Sequence, residues 1–106
     1  MRHIVIAFLI LVIHMDAFSQ KKEISYLALG DSYTIGESVP GEENFPNQLA
    51  AMIRKKGLTV KGPDIVAKTG WTTDELMAGI NAAKLSPRYD YVTLLIGVNN
   101  QYRGRS

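Results

Sequence analysis

Cysteine is absent from all 106 residues, so an exported form of this chain would have to hold together by packing, without disulfide staples. Histidine is scarce: it occurs at His3 and His14 and nowhere after them. Long apolar runs are missing too. The longest, at residues 4–13, is too short to cross a hydrocarbon core of ~30 Å. The formal charge is only +2, with no basic run and no aromatic-basic interleave after residue 22, which removes the phosphate-tracking signature of nucleic-acid binding. No repeat, low-complexity stretch or linker divides the chain after Gln20. What remains is one small domain with a small-molecule partner.

The front of the chain has its own pattern. Arg2 precedes the apolar stretch at 4–13, and the small residues Ala17 and Ser19 follow. That is the layout of a secretory signal peptide over residues 1–19, cleaved between Ser19 and Gln20, and it implies a secreted or periplasmic product with no stable membrane span.

Beyond residue 20 short apolar runs alternate with helical periodicity. Residues 24–29 form a first strand stopped by Gly30, followed by a polar loop over 31–43. Asn44 is placed to cap a helix with Phe45, Leu49, Met52 and Ile53 on one face, closing with Arg54, Lys55 and Lys56 before Gly57. A second strand falls within 58–67, interrupted at Gly62 and Pro63 because proline cannot donate to a ladder, so that 65–67 is its better half. Thr72 and Glu75 form a capping-box pattern, with Leu76, Ile80 and Ala83 behind it and Ser86-Pro87 as the stop. Residues 91–96 are an unbroken apolar or β-branched strand ended by Gly97. Strand, helix, strand, helix, strand with short connections predicts an α/β fold with right-handed crossovers and a parallel three-stranded sheet.

In such sheets ligands bind beyond the carboxyl ends of the strands. The first end reads Gly30-Asp31-Ser32-Tyr33-Thr34. A serine at such a turn can present its hydroxyl above the sheet, although Thr34 occupies the place of the second glycine in a G-x-S-x-G elbow. The second end, Lys68-Thr69-Gly70-Trp71-Thr72-Thr73, precedes a capped helix, where the Gly70 N–H is placed to donate to a developing oxyanion or merely to make a turn. Trp71 can line an acyl pocket or simply pack. The third end carries Asn99, whose amide is either a further oxyanion donor or a loop cap. Consecutive strand ends share one rim, so serine, backbone donor and amide donor converge by topology.

These three ordered blocks resemble those of the SGNH/GDSL hydrolases, and the run from Thr69 to Leu76 is similar to the second block of the lysophospholipase- and thioesterase-like members. The resemblance spans residues 24–102. It implies a flavodoxin-like three-layer sandwich, present here as its first β-α-β-α-β portion. It also implies Ser32 as nucleophile and oxyanion N–H, Gly70 N–H and the Asn99 side chain as the other donors, Asp31 as the residue orienting the turn, and no cofactor or metal. The expected reaction is cleavage of a small-molecule carboxylic ester or thioester through an acyl-enzyme. One departure is Asn100, where the family's third block usually has aspartate, which removes a charge beside the site.

The family's Asp-x-x-His block, which supplies the general base and its partner, has no counterpart in these 106 residues, and the mature chain has no histidine at all. Lys68 is the one local substitute. The expectation is therefore an N-terminal part, residues 20–106, of an SGNH hydrolase domain: a truncated product with an uncovered strand edge, aggregation-prone alone, with a catalytically inactive remnant as the alternative. A reading from a different class is a flavodoxin-like module in which Ser32, Thr34 and Gly36 cradle a phosphate or FMN.

Overall fold

The structure, a computed structural model, describes residues 23–105; the signal peptide expected over 1–19 lies outside the described residues. The elements run β1 (Glu23–Gly30), α1 (Ser32–Ile35), a 3-10 turn (Gly41–Glu43), α2 (Phe45–Lys55), β2 (Thr59–Ala67), α3 (Thr73–Ala82), β3 (Tyr91–Leu95) and α4 (Val98–Tyr102). The three strands form one parallel sheet in the order β2-β1-β3. The α/β class and the parallel three-stranded sheet are as the sequence predicts.

Side-chain alternation along β1 builds the layers. Tyr26 and Ala28 point to one face and pack with Val60, Ile65 and the α2 residues Leu49, Ala50 and Ile53. Leu27 and Leu29 point to the other and meet Val66, Trp71, Leu76 and Ile80. Helix α2 thus covers one face and α3 the other, and Leu27, Ala28, Ala50 and Leu76 are all buried.

The expected break at Gly62-Pro63 is a bulge inside a continuous strand. Ser25 pairs with Lys61 and Leu27 with Asp64, so Gly62 and Pro63 together oppose Tyr26. One extra residue reverses the in-out alternation. That is how Val60 and Ile65, an odd number apart, share the α2 face. Proline is tolerated because β2 is an outer strand of the described sheet. Arg54, in the last turn of α2, donates to the carbonyls of Val60 and Gly62, at 2.9 Å each.

Three boundaries differ from the sequence reading. The segment expected as a loop contains α1 and the 3-10 turn. β3 ends at Leu95, one residue early. Helix α3 stops at Ala82 with Ala83 extended at ψ 144°, well before Pro87, because the chain leaves the helix to lay Leu85 and Tyr89 onto the Leu27 cluster.

β3 is apolar yet uncovered. Tyr91, Val92, Leu94 and Leu95 are 48–65% exposed, on both faces and beside a strand edge with no partner among the described residues. Asp90 pins its start, donating to the Ser25 carbonyl at 3.0 Å and accepting from Ser25 N–H at 2.9 Å.

On α3, a Cβ built at Gly79 would lie 2.3 Å from the Trp71 ring. Glycine to alanine inside a helix ordinarily stabilises by up to ~1 kcal/mol. Here the sign reverses: Gly79→Ala is expected to destabilise by about 1–3 kcal/mol through overpacking, read as a lower urea midpoint with an unchanged slope.

Candidate active site

Gly30 pairs with Ala67 on one side and with Leu95 on the other, so the three strands end level. Ser32, Gly70 and Asn99 follow those paired residues by two, three and four positions, and all three are part-buried. The strand order changes direction at β1, with β2 to one side and β3 to the other, and such a reversal opens a crevice at the carboxyl ends.

Ser32 is the first residue of α1. Asp31 caps that turn through Oδ1, which accepts the Tyr33 N–H at 3.0 Å, in keeping with the orienting role implied for it. Its side chain is 1% exposed and Oδ2 has no hydrogen-bond partner among the described residues. The Ser32 hydroxyl makes no hydrogen bond within the described residues and is open to another molecule. Gly30 is required by space: a Cβ there would lie 2.1 Å from Thr34 Oγ1 and 2.6 Å from the Leu95 carbonyl oxygen. Thr34, the residue that departs from the G-x-S-x-G elbow, folds back over Gly30 and is completely buried.

That burial removes the phosphate-cradle reading. Thr34 faces the interior, and the Gly36 N–H is engaged by the Ser32 carbonyl at 3.0 Å, so the two cannot join Ser32 in lining an anion.

Gly70 lies in a turn closed by Trp71 N–H donating to the Lys68 carbonyl at 3.2 Å. Its φ of +86° is a conformation in which L side chains are strained. Its N–H has no acceptor within the described residues. Lys68 is exposed, and no hydrogen bond or ion pair among the described residues holds its ammonium near Ser32. Trp71 is part-buried and packs against Gly79 and the edge of the Leu27 cluster.

Asn99 lies in α4, and its Nδ2 donates to the Trp71 carbonyl at 3.0 Å. The second N–H of the same amide points elsewhere and remains to be used. Asn100, buried beside it, accepts from Thr73 N–H through Oδ1 and donates to Thr73 Oγ1 through Nδ2, each at 3.0 Å. It therefore satisfies one of the unpaired N–H groups at the start of α3. An aspartate could accept from both Thr73 groups, so the departure at this position leaves the contact intact.

Arg103 and Arg105, which the sequence reading did not single out, close over the same helix start. Arg103 Nη1 donates to the Gly70 carbonyl at 3.2 Å and pairs closely with Glu75 Oε1. Arg105 reaches Asp74 Oδ2 at 3.3 Å. Glu75 also reaches back to accept the Thr72 N–H at 3.0 Å, the contact expected of the capping box. Nothing in the sequence marks these arginines, because the contacts depend on α4 meeting the first turn of α3.

The Thr72 N–H first, then its hydroxyl and Arg103, hold the Glu75 carboxyl below its ordinary 4.5. The Thr72 hydroxyl, its own backbone N–H and Arg105 do the same for Asp74, below 3.8. Carboxyls depressed in the folded state add stability above their unfolded values, and it is lost as pH falls through the folded ones. The junction between α3 and α4 is expected to hold from pH 7 to 5 and to loosen progressively below about 4.5. Amide hydrogen exchange at residues 72–75, compared with Glu75→Gln, checks this.

Comparison with known proteins gives the family and the fold. The family model of the GDSL-like Lipase/Acylhydrolase family matches residues 28–106. Among solved structures the fold is similar to AlinE4, an SGNH-hydrolase family esterase, at TM-score 0.66 and 25% identity, over 83% of this chain and 47% of that one. Two AlinE4 point mutants, an aspartate-to-alanine and a serine-to-alanine form, match at the same TM-score with 25% and 24% identity. The chain thus spans about half the length of the esterase structures it matches. No curated protein matches it. Because the match covers residues 28–106, well over half of the sequence, this chain belongs to the GDSL-like lipase/acylhydrolase family.

Proposed function

We propose that this chain carries the nucleophile and oxyanion-hole half of a serine ester hydrolase acting on small-molecule carboxylic esters or thioesters. The observation that carries the reading is the level rim on which an unengaged Ser32 hydroxyl follows β1 while Gly70 and Asn99 follow the two flanking strands.

Ser32 Oγ attacks the acyl carbonyl as its proton passes to a general base. The oxygen of the tetrahedral adduct is held by the N–H groups of Ser32 and Gly70 and by the free N–H of the Asn99 amide, in a site where such donors need no reorganisation. Collapse expels the alcohol or thiol and leaves an acyl-serine, which water then hydrolyses. The cleft of about 280 Å³ between Asp31, Tyr33, Leu95, Ile96 and Val98 admits the acyl portion. Because the sole histidines, His3 and His14, fall within the leader expected over residues 1–19, the proposed general base belongs to a further portion of the protein. The leader at 1–19 directs the protein to a secreted or periplasmic location.

A full-length protein is expected to hydrolyse aryl esters or acyl thioesters, and Ser32→Ala to remove that activity with the fold intact. Undiminished hydrolysis by Ser32→Ala contradicts the assignment. Without a base, residues 1–106 alone retain at most the residual catalysis of an oxyanion hole.

A further inference from the structure

The second and third strand ends are joined by more than proximity. Asn99 and Arg103 are four residues apart, on one face of a helical turn. Asn99 Nδ2 donates to the carbonyl of Trp71 at 3.0 Å and Arg103 Nη1 to that of Gly70 at 3.2 Å. Two consecutive carbonyls of the turn are thus gripped by α4 and its first following residue. The same Arg103 nitrogen pairs with Glu75 Oε1, and that oxygen also accepts the Thr72 N–H at 3.0 Å. Guanidinium, glycine carbonyl and helix cap form one connected unit, and such a fork can serve two acceptors where an ammonium serves as a point charge.

We infer that Arg103 is a positioning residue for the oxyanion donors: it fixes the turn bearing the Gly70 N–H at a set distance from the helix bearing Asn99. The inference rests on the esterase reading above. Two donors serve one oxyanion only if both lie 2.7–3.1 Å from it, and they belong to segments separated by 29 positions. Gly70, at φ +86° with open space around its α-carbon, has little of its own to hold it. Arg103 does not touch the reacting atoms in this role.

The experiment is steady-state hydrolysis of an aryl ester by the full-length protein, with Arg103→Ala, Arg103→Lys and Ser32→Ala alongside. Arg103→Ala is expected to lower kcat about 10- to 100-fold, the scale of a small misplacement of catalytic groups. KM should change less than about twofold, the pattern of an interaction made in the transition state. Arg103→Lys should recover part of kcat, because one ammonium can reach the Gly70 carbonyl. An unchanged kcat in Arg103→Ala overturns the inference while Ser32→Ala is inactive and the esterase reading stands. Equal losses in both arginine variants, tracking a lower melting temperature, also overturn it, since they mark a structural role alone. If Ser32→Ala keeps its activity, the esterase reading fails and this inference falls with it.

Discussion

Gly30→Ala is expected to be among the most damaging single substitutions in the described fold, costing ~3 kcal/mol or more, at the upper end of overpacking effects. The added Cβ would meet Thr34 Oγ1 at 2.1 Å, the Leu95 carbonyl at 2.6 Å and Thr34 Cβ at 2.8 Å. A hydroxyl can be removed, but the Leu95 carbonyl is backbone and faces Gly30 across the β1–β3 ladder, so relief requires the two strands to part at their carboxyl ends. That is where Ser32 and Asn99 emerge. The double variant Gly30→Ala with Thr34→Ala should recover only part of the loss, because two of the three close contacts persist. Denaturation midpoints of the single and double variants measure both effects. A Gly30→Ala protein as stable as the parent would show that the strand ends are not so closely apposed.

Asn99→Ala is expected to lower kcat by about 10²–10³-fold, the scale for loss of one oxyanion donor, with KM nearly unchanged. The substitution also leaves the Trp71 carbonyl without the donor it has at 3.0 Å. Asn99→Asp is the sharper variant. It keeps the shape but places a carboxylate against both the Trp71 carbonyl and the developing oxyanion, so its activity should be no higher than that of Asn99→Ala. Kinetics of the full-length protein decide between this role and a simple loop cap, for which stability would fall while kcat per folded molecule would not.

Much of the fold was legible because burial imposes periodicity. The apolar runs at β1 and β3 and the capped start of α2 appear in the sequence, and Asn44 accepts the Asn47 N–H at 3.0 Å as its position predicts. The bulge in β2 was half legible. Gly62-Pro63 signals an irregularity, but whether it ends the strand or inserts one residue depends on the β1 partner, which sequence spacing does not reveal. The end of α3 at Ala82 is not legible, because Pro87 marks the last residue where a helix could stop, whereas the packing of Leu85 and Tyr89 on the core sets where it does stop.

The site was legible in its types and order, since serine, glycine and asparagine each follow a strand. Its supports were not. Asn100 bonding both polar groups of Thr73 and Arg103 bonding Gly70 are contacts between segments about 30 residues apart, carrying no local pattern. Trp71 could be read as pocket or packing, and the ring against Gly79 makes it packing. The Gly30 requirement came as a turn signal in sequence and as a close approach in space.

The exposed apolar face of β3 and the lack of a histidine after His14 are two aspects of one proposal, that a further portion of the protein covers the strand and supplies the base. The central claim is narrower: Ser32 is the nucleophile. Its most direct test is to treat the full-length protein with a fluorophosphonate and map the adduct by peptide mass spectrometry. The account predicts a single adduct on Ser32, absent from Ser32→Ala. Labelling at another residue, or none on Ser32 while ester hydrolysis proceeds, would contradict it.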